Sequence, residues 1–181
     1  MKHFVKFLLC LFLFAVSNQL WAQTNSNEKK FTHADTLRGS LSKAREWWDV
    51  QQYKILVEPD YNNKTISGKV DILFKATASY DTMQIDLQAP MQLNKAYLGD
   101  EPLKYFREGN VYFIVLNNMM KPGAVATLAM SFSGKVREAI RPPWDGGWIF
   151  SKDKNGNPWM SVACQGLGAS VWYPCLLYTS P

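Results

Sequence analysis

Ile66-Ser67-Gly68-Lys69-Val70-Asp71-Ile72-Leu73-Phe74-Lys75-Ala76-Thr77 decides the fold. Ile66, Gly68, Val70, Ile72, Phe74 and Ala76 alternate with Ser67, Lys69, Asp71, Leu73, Lys75 and Thr77. A strand sends successive side chains to opposite faces, so this spelling makes one apolar face and one mostly polar face. That is the pattern of an antiparallel sheet with one face on a core and the other in water.

The same period of two runs outward in both directions. Upstream, Tyr53, Ile55 and Val57 alternate with Lys54, Leu56 and Glu58, and Pro59 to Asn63 forms a turn cluster. Downstream, Met83, Ile85 and Leu87 alternate with Gln84, Asp86 and Gln88. Ala96 to Leu98 and Leu103 to Phe106 flank the turn Gly99-Asp100; Val111 to Leu116 follows Glu108-Gly109-Asn110, and Val125 to Phe132 follows Lys121-Pro122-Gly123. About seven short strands at regular spacing, punctuated by Gly, Pro and Asn, predict an all-β antiparallel sandwich or open barrel. A helix is predicted only over Ala34 to Trp48, from the spacing of Leu37, Leu41, Ala44 and Trp48, and Gly39 shortens it.

Composition bounds what this chain can do. Its 181 residues are 47% hydrophobic and 19% charged, a globular balance with room for one domain. The net charge of +5 is mild and its cations are scattered, which argues against nucleic acid as a partner. There are two histidines, His3 and His33. Lys2 and Lys6, the apolar run Phe7 to Val16 and the small residue Ala22 read as a secretory signal peptide over residues 1–22. The run is too short for a comfortable membrane span, so export to the periplasm or the exterior is expected, with no stable span left behind. Cleavage there removes His3 and Cys10 and takes the net charge from +5 to +3. His33 is then the one histidine left, in a polar segment, and reads as a surface residue. Residues 23–44 read as a linker and short helix. Cys164 and Cys175 either pair in an oxidising compartment or pack as separate small apolar groups; a spacing of eleven decides neither.

Beyond Gly134 the chain turns rich in Pro, Gly and Trp. Trp144, Trp148, Trp159 and Trp172 interleave with glycines, which suggests backbone running close to a ligand or to a second domain. Trp159 to Cys164 can form one more strand, and Gln165 to Ser170 is a glycine-bearing loop. No His-Glu-x-x-His, no close carboxylate pair and no Ser–His pairing is present, so the residues alone carry no catalytic constellation and no metal site.

Trp144-Asp145-Gly146-Gly147, Gly156-Asn157-Pro158-Trp159 and Cys164-Gln165-Gly166-Leu167-Gly168-Ala169-Ser170-Val171-Trp172-Tyr173-Pro174-Cys175 resemble the N-terminal domain of the aminopeptidase N family of zinc metallopeptidases. Asp49 to Ile55 and Ile66 to Val70 resemble its opening strands, so the likeness runs over residues 45–175. It implies a saddle-shaped β domain that caps a cleft belonging to a catalytic domain further along the chain. It implies zinc in the full-length parent and none on this fragment. It implies a peptide substrate with a free N-terminus, bound in part by Gln165, whose amide oxygen accepts from the substrate ammonium. Gly166 and Gly168 would let the backbone approach the cleft. Leu176 to Pro181 departs from the family pattern and is expected to be a non-native tail. This fragment alone is therefore expected to be inactive. The alternative is a free-standing β-sandwich module of the cell envelope that binds carbohydrate or protein, with sugars stacking on Trp144, Trp148 or Trp159.

Overall fold

The computed structural model describes residues 30–177. The signal peptide, with His3 and Cys10, and the last four residues of the expected tail lie outside the described residues. The chain divides into two units, 1–32 and 33–181, and the account below concerns the second.

Its described residues form ten strands: β1 (Trp48–Asp60), β2 (Thr65–Ala76), β3 (Tyr80–Asp86), β4 (Gln92–Leu98), β5 (Glu101–Pro102), β6 (Lys104–Glu108), β7 (Val111–Met120), β8 (Val125–Lys135), β9 (Gly147–Lys152) and β10 (Pro158–Ala163). They form a five-stranded sheet ordered β1-β2-β8-β4-β5, a three-stranded sheet ordered β3-β7-β6 and the hairpin β9-β10. Every pairing between named strands is antiparallel. The all-β antiparallel sandwich expected from the period-two spelling is what forms.

The core lies between the two larger sheets. Ile66, Val70, Ile72 and Phe74 from β2 and Leu128, Met130 and Phe132 from β8 pack in one cluster with Met83 and Ile85 of β3 and Ile114 of β7. These are the inward sets of the alternating strands. Gly68 belongs to the inward set of β2 for a separate reason. A Cβ there would lie 2.5 Å from the Leu56 carbonyl and 2.8 Å from the Phe132 ring, so the position has room for hydrogen alone.

Several elements differ from the sequence expectation. The predicted helix 34–48 is two short ones, α1 (His33–Gly39) and α2 (Lys43–Glu46). Trp48 is not helical: it opens β1, and its indole donates to the Ala44 carbonyl at 2.9 Å. β1 runs through Pro59 instead of turning there. It is an edge strand, where a residue without an N–H costs no ladder bond. The strand expected over Leu103 to Phe106 forms as β6, and Glu101 and Pro102 just before it pair separately as β5; the two join different sheets. β9 lies in the Trp- and Gly-rich stretch where no strand was expected.

The largest departure is in β3. Met83, Ile85 and Leu87 are buried as expected, yet Gln84, Asp86 and Gln88 on the opposite face are also buried. Both helices and the segment after β10 supply the groups that bond this polar rib. Gln84 accepts from Ser42 Oγ at 2.8 Å and donates to the Leu37 carbonyl at 2.8 Å. Asp86 accepts two bonds from Arg45 Nη2, at 2.9 and 2.8 Å, and Gln88 donates to Ser170 Oγ at 3.0 Å. No described helix is long and apolar enough to cross a membrane.

Candidate functional site

The loop carrying Gln165 follows directly on β10. Its first turn closes with Leu167 and Gly168 N–H groups donating to the Cys164 carbonyl, at 3.2 and 2.9 Å. Gly166 (φ 70°) and Gly168 (φ 60°) take left-handed backbone that other residues adopt only under strain. A short 3-10 turn, Gly168–Val171, follows.

Four groups from elsewhere hold this loop. Ser170 Oγ donates to the Leu167 carbonyl at 2.7 Å while accepting from Gln88, and the Gln88 N–H donates to the Ser170 carbonyl at 2.9 Å. The Trp148 indole donates to the Val171 carbonyl at 3.0 Å. Arg38 of α1 donates to the Gly166 carbonyl at 3.3 Å. Cys175 exchanges backbone bonds with Asp86, at 2.8 and 3.1 Å. Beneath the loop, a Cβ on Gly146 would lie 2.9 Å from the Gln165 carbonyl oxygen and 2.9 Å from Leu167. The glycine of Trp-Asp-Gly-Gly is therefore where the loop seats. Asp145 fixes that seat by accepting from the N–H groups of Ile140 and Arg141, both at 2.7 Å, and the Ile140 bond above all holds its carboxyl below the usual range.

Gln165 itself is exposed, and its side-chain amide has no hydrogen-bond partner among the described residues. A free carboxamide on an anchored loop offers one oxygen acceptor and two N–H donors at a defined place. Gly166 is exposed beside it, and Gly168 is half-buried, packed so closely that a Cβ would meet Leu177 at 2.5 Å. That contact is with the end of a movable side chain, so the left-handed backbone is what calls for glycine at 168.

Other candidate residues fall elsewhere. His33 Nε2 lies 2.6 Å from Glu108 Oε1, a tie between α1 and the end of β6. Cys164 and Cys175 are both free thiols; Cys164 is exposed and Cys175 buried. Burial pushes the Cys175 thiol well above its ordinary pKa, and nearby Asp86 adds to this, so it packs as an inert apolar group. Trp148 is buried, whereas Trp144 and Trp159 are 81% and 60% exposed.

Sequence reasoning missed the Arg45–Asp86 pair. Both side chains are 2% exposed. Burial raises the Asp86 carboxyl from an ordinary value near 3.8 to about 6, against the pull of Arg45 and the Leu177 N–H. The cost of taking the carboxylate out of water outweighs its attraction to the guanidinium. An aspartate on an outward strand position gives no signal of this, because the cover comes from residues 41 positions earlier and about 90 positions later.

No family model matches this chain, and no curated protein matches it. Its fold does resemble solved structures of M1 zinc metallopeptidases. One, from Deinococcus radiodurans, is 18% identical with a TM-score of 0.54, over 74% of this chain and 30% of that one. A point mutant of an M1 zinc metallopeptidase from the same organism, bound to a Tyr-Ser-Ala substrate, is 19% identical with a TM-score of 0.52, over 71% of this chain and 29% of that one. A two-domain M1 zinc metallopeptidase mutant bound to L-arginine is 18% identical with a TM-score of 0.54, over 74% and 30%. At these identities the likeness is one of fold, and this chain spans about 30% of the length of those structures. Its described residues do not fit a zinc ion, since no three His, Cys, Asp or Glu side chains among them converge.

Proposed function

We propose that this chain is the N-terminal, substrate-capping domain of an exported zinc-dependent aminopeptidase that removes N-terminal residues from peptides. The observation that carries this reading is Gln165: an unpartnered, exposed carboxamide on a loop anchored from four sides, in a fold shared with M1 zinc metallopeptidases. Its oxygen would accept from the ammonium of the substrate N-terminus. Gly166 and Gly168 would hold the turn that presents it. Charge for that ammonium and the metal chemistry belong to a catalytic domain outside these residues.

The experiment is made in the full-length parent enzyme. Gln165→Ala removes one acceptor for a charged donor, which raises KM for aminoacyl chromophores by about tenfold or more. Gln165→Glu, which keeps the acceptor and adds charge, retains low KM. An unchanged KM in Gln165→Ala would overturn the role. This chain alone, with added zinc, should release no chromophore, and turnover by it would refute the division of labour.

A free-standing envelope module that stacks sugars is favoured by two exposed rings, Trp144 and Trp159. It loses its third platform, because Trp148 is buried and donates to Val171. Binding of an oligosaccharide that disappears in Trp144→Ala and Trp159→Ala would support it.

A further inference from the structure

β1 is the long open edge of the five-stranded sheet. It runs for 13 residues and pairs with β2 alone. Successive residues of a strand turn their backbone groups to alternate sides. The Leu56 carbonyl points toward β2, since a Cβ on Gly68 would lie 2.5 Å from it. Lys54, Leu56 and Glu58 therefore bond to β2, while Tyr53, Ile55, Val57 and Pro59 turn their backbone groups outward. Pro59 fits this phase, because its missing N–H falls on the side without a ladder. No described residue pairs with the outward N–H groups of Tyr53, Ile55 and Val57.

Open edges are usually defended by shortness, charge, proline or a cover. Here Leu56 stands 67% exposed in the middle of the stretch. Lys54 and Glu58 flank it at equal spacing, and both are exposed on the same outer face. That order is its own complement. In an antiparallel pair with a second copy, centred on Leu56, Leu56 faces Leu56 and each Lys54 faces a Glu58. The same register sets Ile55 opposite Val57 and Tyr53 opposite Pro59, all of them with outward backbone groups. Ile55 and Val57 then exchange N–H and carbonyl bonds with Val57 and Ile55 of the copy. The Tyr53 N–H donates to the Pro59 carbonyl, and proline costs the ladder only the reverse bond. Other registers are poorer. Centring on Lys54 or on Glu58 sets like charges face to face, and centring on Ile55 or Val57 sets Leu56 against a charge.

We propose that this protein pairs with a second copy of itself through β1, as an antiparallel edge-to-edge dimer in the register centred on Leu56. The contact is isologous, so each Lys54–Glu58 pair occurs on both sides of the axis and the assembly closes as a dimer. Main-chain bonds supply the pairing, and Lys54, Leu56 and Glu58 set the register. On the inner face Ile55 and Val57, half-buried against the core cluster, meet across the seam.

The test is sedimentation equilibrium of this protein over a concentration series. Wild type should dimerise reversibly. Lys54→Glu sets Glu against Glu58 on both sides and should weaken dimerisation by about tenfold or more. Adding Glu58→Lys to that variant restores opposite charges and should return the affinity to within about threefold of wild type. Both side chains are exposed, so the variants keep the fold. Leu56→Cys reads the register. Facing residues at such a non-bonded pair stand about 4.5 Å apart at Cα, within reach of a disulfide. On mild oxidation Leu56→Cys should link into a dimer beyond the wild-type level, for which the exposed Cys164 is the control. Lys54→Cys should not, because its counterpart lies four residues along the seam, about 13 Å away. A monomer throughout the series, a dimer indifferent to Lys54→Glu, or equal linking by Lys54→Cys would overturn the proposal. So would slow amide exchange at Ile55 and Val57 in a monomer, which would give the edge to another segment of the chain. Loss of the dimer in Ile140→Ser with Trp144→Ser would move the interface to that loop and overturn it as well. Gln165→Ala should leave dimerisation unchanged, so failure here and failure of the amine-binding role are read separately.

Discussion

Gly68 and Gly39 look alike in the sequence and differ completely in the fold. A Cβ on Gly68 would strike the Leu56 carbonyl and the Phe132 ring, whereas one on Gly39 meets nothing within 4 Å. Gly68→Ala should therefore destabilise by about 2–3 kcal/mol in urea denaturation, because backbone must move to admit the methyl group. Gly39→Ala should stay within about 1 kcal/mol of wild type, on the stabilising side, by restricting the unfolded chain. Equal midpoints for the two variants would contradict this packing. Asp86 makes a prediction in pH. An unfolded aspartate titrates near 3.9, and this one titrates at about 6 in the fold. The folded state thus holds the proton more tightly. The stabilisation associated with it is complete below about pH 4 and is lost as pH rises through about 6. Measured against Asp86→Asn, wild-type stability should fall across that window. A difference that is flat or grows with pH would show that the pair, and not burial, governs the carboxyl. Neither property was legible in the sequence. Both depend on which atoms arrive from distant parts of the chain.

At the scale of elements, the strands were largely legible and their surroundings were not. The alternation in β2 is read correctly on both counts, since its even-numbered set faces the core and its odd-numbered set is open or half-open. The alternation in β3 is spelled the same way, yet its polar set is roofed by α1, α2 and the loop after β10. Polar spelling marks which residues share a face; it does not say whether that face meets water or a hydrogen-bonding cover. The cover has its own testable chemistry. Gln84→Leu removes the acceptor for Ser42 and the donor for the Leu37 carbonyl, leaving that backbone group without this bond. It should cost about 1–3 kcal/mol and speed amide exchange over residues 33–42 far more than in β2. Uniform exchange changes across the domain would count against a local cover. β9 escaped sequence reading because glycine, proline and tryptophan signal loops and close approach more strongly than they signal pairing. Its partner, β10, supplies the register through Trp148↔Val162 and Phe150↔Met160.

At the scale of the whole molecule, two large side chains stand in water on one loop: Ile140 at 83% and Trp144 at 81% exposure. At high concentration such groups promote association between molecules. Ile140→Ser with Trp144→Ser should reduce self-association in light scattering while shifting stability by less than about 0.5 kcal/mol. Unaltered association would place the sticky surface elsewhere. By itself the sequence determined an all-β antiparallel domain and its inward residues, because the period of two is a local property of each strand. It also singled out Gln165, through a run of residues that resembles a known family. Tertiary structure alone decided the strand order β1-β2-β8-β4-β5, the transfer of β6 to the second sheet and the burial of Arg45 with Asp86. It alone decided the seat that Gly146 gives the Gln165 loop. Those outcomes rest on contacts between segments tens of residues apart, whose free energies are set by close packing and desolvation that no local spelling records.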